Sequence, residues 1–483
     1  MARAHHDRTP GDLLSVPVGD TAQRASAVVD ARCSGSRGRP RSIWYVARPL
    51  GCVHHTRESP VPGVARGALQ LTHNHPTRER KARTRTRGRG GADASAQPVP
   101  FNDLGRAIDE ELLDAVVRVT RSGWYLIGEQ TAAFERELAE YLGAHHAVTV
   151  ANGTDALELA LVALGCAPGD EVLTAANAGG YTTAAARRRS LKVRYADIDQ
   201  RELLLTPETV ERELTPHTKV VVVTHLYGKM AQAHAIRDLC HAHGVKLLED
   251  CAQAPGARVQ GGLAGAVGDA GAFSFYPTKN LGALGDGGAI VTSDEDVAQR
   301  ARRLRQYGWG AKYEIHEDGG RNSRLDEIQA AVLRVRLGRL DDANRRRRAI
   351  VARYAEALSA SGVEIVHGGG EADDDGRGQR DSQTRGGQAQ GDAEDYVAHL
   401  AVLRSRQRDE LVEQLRTHGI ATAVHYPIAD HQQVVVGDRG VRLPATEAAT
   451  REVLSLPCFP ELEAEEVEAV CAALSSAAQT LES

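Results

Sequence analysis

Short apolar runs alternate with amphipathic stretches from residue 101 to about residue 315. The runs predicted to be strands are 147–151, 171–174, 192–197, 219–224 and 245–249. Between them, leucines recur at helical spacing in 152–164, and residues 233–243 predict another helix that ends at Gly244. Strands that alternate with helices predict an α/β architecture with a largely parallel sheet.

The second half of the chain changes its pattern twice. Residues 325–358 show helical periodicity, and residues 396–478 return to an α/β pattern. Between these parts, residues 368–394 are rich in Gly, Asp, Gln and Arg, which predicts a solvated insertion loop. We therefore predict a large domain over 101–340 and a smaller C-terminal α/β domain over 341–483, with the insertion inside the smaller one.

Charge separates the first hundred residues from the rest of the 483-residue chain. Residues 1–100 carry 16 Arg and 1 Lys against 7 acidic residues, a net charge of +10, whereas the whole chain stands at −5. Because this stretch lacks apolar periodicity and the apolar core of a secretory signal, we predict a disordered basic extension. Its composition also resembles a transit peptide, and its Arg-Gly run could touch RNA. We favour a non-conserved extension or a misassigned start codon, and we predict no nucleic-acid partner.

The seven cysteines are scattered and form no CxxC pair. This spacing argues against a disulfide framework and against a zinc site, so we predict no bound metal. Cysteines without a disulfide pattern indicate a reducing compartment, and we predict a cytoplasmic location. The sequence has no run of eighteen apolar residues, so we predict no membrane span.

Asp250 directly follows the apolar run 245–249. Open α/β sheets bind their ligands at the carboxyl ends of the strands, which is where this carboxylate falls. A carboxylate there can hold a proton on a pyridine nitrogen and keep the ring cationic, as an electron sink requires. An aspartate that caps a helix remains the alternative at this point.

Lys279 follows a short aromatic strand and precedes the glycine-rich stretch 282–288. A lysine that is partly desolvated at a strand end loses its proton readily and can form an imine with a carbonyl compound. Taken alone, a lysine is more often a solvated surface group.

Asn152, Gly153, Thr154 and Asp155 open the helix predicted after the first strand. Free N–H groups and the helix dipole favour a phosphate at such a place. Thr154 adds a hydroxyl group, and Gly153 allows the backbone to approach a ligand closely. An ordinary helix cap by Asn152 or Thr154 is the alternative.

The order of these features along the chain favours one class of enzyme over the separate alternatives given above. A phosphate cup comes first, then Asp250, then Lys279 after 29 residues, with Ser274 five residues before the lysine. This order matches a fold-type-I pyridoxal-phosphate enzyme. The chain also resembles the DegT group of sugar aminotransferases over roughly residues 101–478, apart from the insertion. The matching runs are EDCAQAPG at 249–256, GDAGAFSFYPTKNLGALGDGG at 268–288, GRNSRLDEIQAA at 320–331 and HYP at 425–427.

The resemblance implies a fold-type-I aminotransferase whose cofactor is pyridoxal 5'-phosphate. Lys279 would bind the cofactor covalently and then move a proton. Asp250 would pair with the ring nitrogen, and Gln253 would lie close to the ring's 3-oxygen. The residues implied to hold the phosphate are Gly153, Thr154 and Ser274. Asn322 would reach the phosphate of the other subunit's cofactor, which implies a homodimer with shared active sites.

Further positions belong to the substrate side of the predicted site. Arg324 is expected to clamp a donor carboxylate or a substrate phosphate, with a surface salt bridge as the alternative. His225 follows a strand, and His425 and Tyr426 fall in the substrate region of the family, so we expect all three to line the site. Tyr181 is the only aromatic near the place where the family has a ring-stacking residue, although it comes slightly late.

We predict transfer of an amino group, usually from glutamate in this family, to a keto sugar linked to a nucleoside diphosphate. Relatives that dehydrate sugars have His in place of the lysine, so Lys279 argues against dehydration. Aminotransferases that make aminated cyclitols or aromatic acids keep the lysine and remain open alternatives. A regulator that binds the cofactor without turnover is a further alternative, against which the intact Asp250, Gln253 and Lys279 argue.

Overall fold

The computed structural model describes residues 98–359, 361, 363–368, 395–436 and 440–482. The predictions for the basic extension and for the 368–394 insertion therefore lie almost wholly outside the described residues. The described fold extends to residues before 101, because Val99 is buried and its N–H donates to the Gly419 carbonyl at 2.9 Å. The boundary between residues 340 and 341 stays a prediction.

Helices and strands alternate through the first two thirds of the described chain. The helices are α1 Glu110–Ser122, α2 Glu129–Leu142, α3 Gly153–Ala163, α4 Tyr181–Arg188, α5 Pro207–Glu213, α6 Ala233–Ala242, α7 Glu295–Leu304, α8 Glu327–Leu337, α9 Leu340–Leu358, α10 Arg408–Thr417, α11 Pro444–Glu452 and α12 Ala464–Glu482. The strands are β1 His146–Val150, β2 Glu171–Ala175, β3 Lys192–Ala196, β4 Thr218–Thr224, β5 Lys246–Asp250, β6 Arg258–Val259, β7 Gly262–Leu263, β8 Ala270–Ser274, β9 Gly288–Thr292, β10 Trp309–Ala311, β11 Glu314–Ile315, β12 Glu364–Ile365, β13 Ala401–Arg404 and β14 Val453–Leu456.

A seven-stranded sheet in the order β1-β9-β8-β5-β4-β2-β3 forms the centre of the structure. All neighbouring pairs are parallel except those that include β9, which runs antiparallel to β1 and β8. The strands are apolar on both faces because helices cover both sides, as in α/β proteins. The predicted mostly parallel α/β sheet is confirmed. The antiparallel strand β9 was not predicted, because its GAIVT run has no polar alternation that would distinguish its direction.

A second, three-stranded antiparallel sheet of β12, β13 and β14 lies in the C-terminal part. Helices α9, α10 and α12 pack with it around a separate apolar cluster that includes Tyr354, Leu415 and Phe459. These elements agree with the α/β pattern predicted for residues 396–478. None of the described helices is both long enough and apolar enough to cross a membrane.

The direction of the strands decides where the polar motifs meet. Because β1, β4, β5 and β8 all point the same way, their carboxyl ends lie along one edge of the sheet. The residues at or just beyond these ends are Asn152, His225, Asp250 and Ser274. Segments separated by more than a hundred residues in sequence are thereby brought to one edge.

Candidate active site

A cavity of about 630 Å³ opens at this edge of the sheet. Nine of the predicted site residues line it, namely Gly153, Thr154, Tyr181, Asp250, Gln253, Ser274, Lys279, His425 and Tyr426. The residues that local sequence patterns singled out therefore lie around one cavity.

The amino end of α3 forms one side of the cavity. Asn152 caps this helix, because its Oδ1 accepts a hydrogen bond from the Asp155 N–H at 2.8 Å. Gly153 lies so close to Ser274 that an added Cβ would come 2.5 Å from the Ser274 Cβ. The glycine is thus needed for close approach, and it leaves the helix terminus and two hydroxyl groups, of Thr154 and Ser274, facing the same space.

Asp250 ends β5 and is only 4% exposed. Its Oδ1 accepts from the Ala252 N–H at 3.1 Å, and its Oδ2 accepts from Thr224 Oγ1 at 3.3 Å. Burial raises the pKa of this carboxyl, while the Ala252 N–H and the charge of Lys279 act in the opposite direction. A turn follows Asp250 and no helix begins there, so the capping alternative does not apply.

Lys279 lies on a tight loop between β8 and β9. The Lys279 N–H donates to the Tyr276 carbonyl at 2.8 Å, and a Cβ on Gly282 would come 2.4 Å from the Pro277 carbonyl oxygen. This compact loop holds the amine against the cavity. Desolvation lowers the pKa of Lys279 to about 8, although the nearby Asp250 charge opposes the shift. The alternative interpretation, that Lys279 is a solvated surface group, therefore does not apply.

The Gln253 side chain joins one backbone group and one side chain at the cavity wall. Its Oε1 accepts from the Tyr227 N–H at 2.6 Å, which fixes the orientation of the amide, and its Nε2 donates to Tyr426 Oη at 3.2 Å. The Tyr227 hydroxyl in turn donates to the His425 carbonyl at 2.6 Å. The run at 425–427 is thereby locked to the sheet edge, 173 residues along the chain from Gln253.

Tyr181 is the first residue of α4 and is 49% exposed. Its ring meets Tyr426 edge to face, with 6.1 Å between the ring centroids. Gly179 and Gly180 before it both have positive φ, and a Cβ on Gly179 would come 2.9 Å from the Tyr426 ring. The two glycines permit a turn that no other residue pair would make as easily, and this turn presents the Tyr181 ring to the cavity.

The structure corrects the prediction that His225 lines the site. His225 is fully buried, its Nδ1 accepts from the Ala231 N–H at 3.1 Å, and its Nε2 lies 2.9 Å from Glu249 Oε2. With Nδ1 accepting, Nε2 carries the proton and donates to the carboxylate, so both ring nitrogens are used. Glu249 also accepts from three backbone N–H groups. His225 therefore connects the end of β4 to Glu249 of β5 inside the protein, and its ring does not line the cavity.

Asn322 and Arg324 do not line the cavity. They flank Ser323, whose Oγ accepts from the Ala151 N–H at 3.1 Å and so fixes the run at 320–331 next to the end of β1. Asn322 is exposed, and Arg324 is half-buried with no hydrogen-bond partner for its Nε among the described residues. The predicted role of Asn322 depends on a second subunit, and the roles of both residues stay predictions.

Several cavity residues were not predicted from the sequence. They are Phe101, Asn102, Leu157, Tyr276, Asp286, His399 and Cys458, among others. Phe101 stacks on His425, with 5.8 Å between the ring centroids. Asn102 and His399 carried no usable signal, because each lies beside an unremarkable apolar stretch. His399 lies two residues before the start of β13, and the rule that selects residues at the carboxyl ends of strands does not reach it.

Asp430 is a buried carboxyl group behind the Tyr181 turn. Its Oδ2 accepts from Thr183 Oγ1 at 2.6 Å, and its N–H donates to the Ala176 carbonyl at 2.7 Å. Burial raises the pKa of Asp430 to about 6, although the hydrogen bonds from Thr183 and from the Gly180 N–H oppose the shift. The folded protein thus favours the protonated carboxyl more than the unfolded chain does.

We expect Asp430→Asn to stabilise the protein at pH 8, and by only about half as much at pH 5, which lies between the unfolded and the folded pKa. A raised folded-state pKa means that ionisation costs stability once the pH exceeds the unfolded value, and the full cost is present above the folded value. A shift of this size corresponds to at most about 3 kcal/mol. Urea unfolding of both proteins at the two pH values measures the difference.

The matched control for this substitution is Asp409→Asn, since the Asp409 side chain is 87% exposed. Its effect should be small and should not grow between pH 5 and pH 8 in the same way. A free-energy difference for Asp430→Asn that is equal at the two pH values would contradict the assignment of a buried, protonated carboxyl.

A protein-family model and several individual proteins match this chain in sequence. The model of the DegT/DnrJ/EryC1/StrS aminotransferase family matches residues 106–475. The "erythromycin biosynthesis sensory transduction protein EryC1" of Saccharopolyspora erythraea is 41% identical over 79% of this chain and 100% of its own length. A dTDP-3-amino-3,4,6-trideoxy-alpha-D-glucose transaminase of Streptomyces venezuelae is 41% identical over 76% of this chain and 92% of its own length.

Among solved structures, DesV of S. venezuelae, in complex with a ketimine intermediate, is similar to the described fold. The two chains are 40% identical and superpose with a TM-score of 0.72, over 80% of this chain and 99% of DesV. The predicted resemblance is thus confirmed at the level of sequence and of structure.

Proposed function

We propose, from the premise that this chain belongs to the DegT/DnrJ/EryC1/StrS aminotransferase family and is an aminotransferase, that it moves an amino group from glutamate to a keto sugar linked to a nucleoside diphosphate. The single observation that carries the proposal is the meeting of Lys279 and Asp250 in one cavity, at the amino end of α3. A partly buried amine near a buried carboxylate, beside a helix end that can bind phosphate, is what this chemistry needs.

The residues of the cavity fit pyridoxal 5'-phosphate. The helix end at Gly153, with the hydroxyl groups of Thr154 and Ser274, offers donors for a phosphate, and the space beside Gly153 would be filled by any side chain there. Asp250 would pair with the ring nitrogen, while Gln253 and Tyr181 would lie along the ring. When bound, the cofactor supplies an aldehyde carbon that takes up nitrogen and a ring that accepts electrons.

Lys279 performs the proton transfers in this proposal. Its Nζ, with a pKa of about 8, is neutral often enough near neutral pH to accept a proton, and acidic enough to return it. It takes the proton from the α-carbon of the amino donor and later delivers one to the sugar carbon that receives the nitrogen. Lys279 is the only Lys or Arg among the residues that line the cavity within the described chain, so no other such group there can take this role.

Asp250 keeps the opposite end of the site negatively charged. Its carboxylate is held by Ala252 and Thr224 rather than by solvent, so it does not need to reorganise when a positive ring nitrogen is present. The cationic partner also lowers the pKa that burial raises, which keeps Asp250 ionised in the loaded site.

The proposal includes a homodimer, with Asn322 and Arg324 acting in the partner's site. Its support is that both residues belong to a matching run and are at least partly exposed, yet neither lines the cavity described above. It also includes a cytoplasmic location, supported by the five free cysteines of the described residues, since free thiols are typical of a reducing compartment.

An absorbance spectrum tests the central proposal. Purified protein with added pyridoxal phosphate should show visible absorbance from the bound cofactor, glutamate should remove it, and one 2-oxoglutarate should form per site. A keto sugar nucleotide should then restore the absorbance. Bound cofactor whose spectrum no amino acid changes would favour the regulator, and restoration only by a cyclitol ketone would favour that alternative. Protein that binds no cofactor would contradict the proposal.

A further inference from the structure

The side chain of His399 is held in one tautomer by a chain of amides. Asn344 Nδ2 donates to the Pro255 carbonyl at 3.0 Å, and a carbonyl can only accept, so Asn344 Oδ1 is the atom that faces Asn280. Asn280 Nδ2 donates to Asn344 Oδ1 at 2.8 Å and to the Val397 carbonyl at 2.9 Å. Asn280 Oδ1 therefore accepts from His399 Nδ1, 2.8 Å away, and the ring proton is on Nδ1.

The backbone of His399 is fixed as well. A guanidinium N–H of the buried Arg347 donates to the His399 carbonyl at 3.4 Å and also contacts the Cys458 carbonyl. Gly228 also lies so close that a Cβ on it would come 2.8 Å from the backbone nitrogen of His399. With 6% of its surface exposed, His399 has little freedom to turn its ring.

The remaining ring nitrogen, Nε2, is an acceptor. His399 lines the cavity, and within the described part of the chain no donor is bonded to Nε2. Burial lowers the pKa of His399 well below its ordinary value, and the charges of Lys279, Arg347 and His425 act in the same direction. The imidazole is thus neutral at neutral pH and presents a lone pair to the cavity.

The lone pair on His399 Nε2 can bind only those groups of the proposed substrates that donate a hydrogen bond. The carboxylates of glutamate and the oxygens of a diphosphate only accept hydrogen bonds, so they gain nothing from Nε2. Phe101, Asn102, Tyr426 and Cys458, which also line the cavity, carry uncharged side chains. A neutral polar wall with a fixed acceptor suits an uncharged ligand portion that carries hydroxyl groups.

We propose that His399 Nε2 accepts a hydrogen bond from a hydroxyl group of the sugar, and so helps to select hydroxylated sugars over other acceptors. This inference rests on the proposed function, because it presumes a sugar in the cavity. It assigns His399 to substrate binding and leaves the proton transfers to Lys279.

Two neutral variants separate the two ring nitrogens. In His399→Asn, the amide NH₂ can replace Nδ1 as donor to Asn280, but Nε2 is lost. In His399→Gln, the longer amide places an oxygen near the position of Nε2. Calorimetry with cofactor-loaded protein gives the dissociation constants of dTDP-glucose and of dTDP. Their ratio measures how much the sugar adds to the affinity.

The wild type should bind dTDP-glucose more tightly than dTDP, and His399→Asn should lose about five- to tenfold of that preference, as expected for one hydrogen bond. His399→Gln should retain part of it, and dTDP binding should be equal in all three proteins. A preference that survives in His399→Asn overturns the inference, as does a wild type that binds the two ligands equally or binds neither. The glutamate-dependent spectral change tests the aminotransferase independently, so its loss would identify a failure of the proposed function instead.

Discussion

Lys279→Ala is expected to lower turnover by at least about 1,000-fold, because the proton transfers lose the group that performs them. Among the cavity-lining residues of the described chain, no second Lys or Arg could substitute for it. The loss should appear in the glutamate half-reaction and in the sugar half-reaction alike. Rapid-mixing absorbance measurements of each half-reaction check the result.

Matched variants make the Lys279 prediction specific. Lys279→Arg keeps the charge but should be as inactive as the alanine variant, since a guanidinium does not give up its proton. Lys192→Ala removes an exposed lysine at the start of β3 and should leave activity within about twofold, as for other surface changes. Substantial activity in Lys279→Ala, unaffected by added methylamine, would contradict the assigned role.

The lowered pKa of Lys279 adds a dependence on pH. Only the neutral amine attacks a carbonyl carbon, so the rate at which cofactor-free protein reacts with pyridoxal phosphate should rise with pH and level off above about 8. An ordinary solvated lysine would continue to gain rate beyond pH 10. Stopped-flow absorbance from pH 6 to pH 10 distinguishes the two courses.

Asp250→Asn is expected to lower turnover by about 100- to 1,000-fold, as removal of a fixed charge at a reacting group typically does. The amide has the same size and can still accept from the Ala252 N–H, so the fold should be preserved. What disappears is the negative charge that holds a proton on the ring nitrogen. Steady-state kinetics, together with the cofactor dissociation constant, measure the two effects separately.

A second carboxylate in the same cavity provides the comparison for Asp250. Asp286 also lines the cavity but is not at a strand end, and Asp286→Asn should lose less than about tenfold. If both asparagine variants lost the same factor, the effect would reflect the total charge of the cavity, and the pairing of Asp250 with the ring nitrogen would be wrong. Retention of full activity in Asp250→Asn would exclude it directly.

The sequence determined much of the fold and the centre of the site. Continuous apolar runs and period-3.6 patterns located the main parallel strands and their helices to within one or two residues, because burial of a strand on both faces leaves a strong local signal. Asp250, Lys279 and Gly153 could be predicted because Asp250 ends a strand and the other two lie within five residues of one. In a parallel sheet, the ends of strands meet at one edge whatever their separation along the chain.

Only the tertiary structure decided what lies around that centre. His225 and Asp250 both lie at strand ends, yet packing buried His225 against Glu249 and left Asp250 lining the cavity. His399 reaches the site because it bonds to Asn280, 119 residues away in sequence. Such contacts depend on how two sheets and their loops pack, which no periodicity within one segment encodes. The chain's own pattern thus determined the chemistry, and the packing of distant segments decided which side chains a substrate meets.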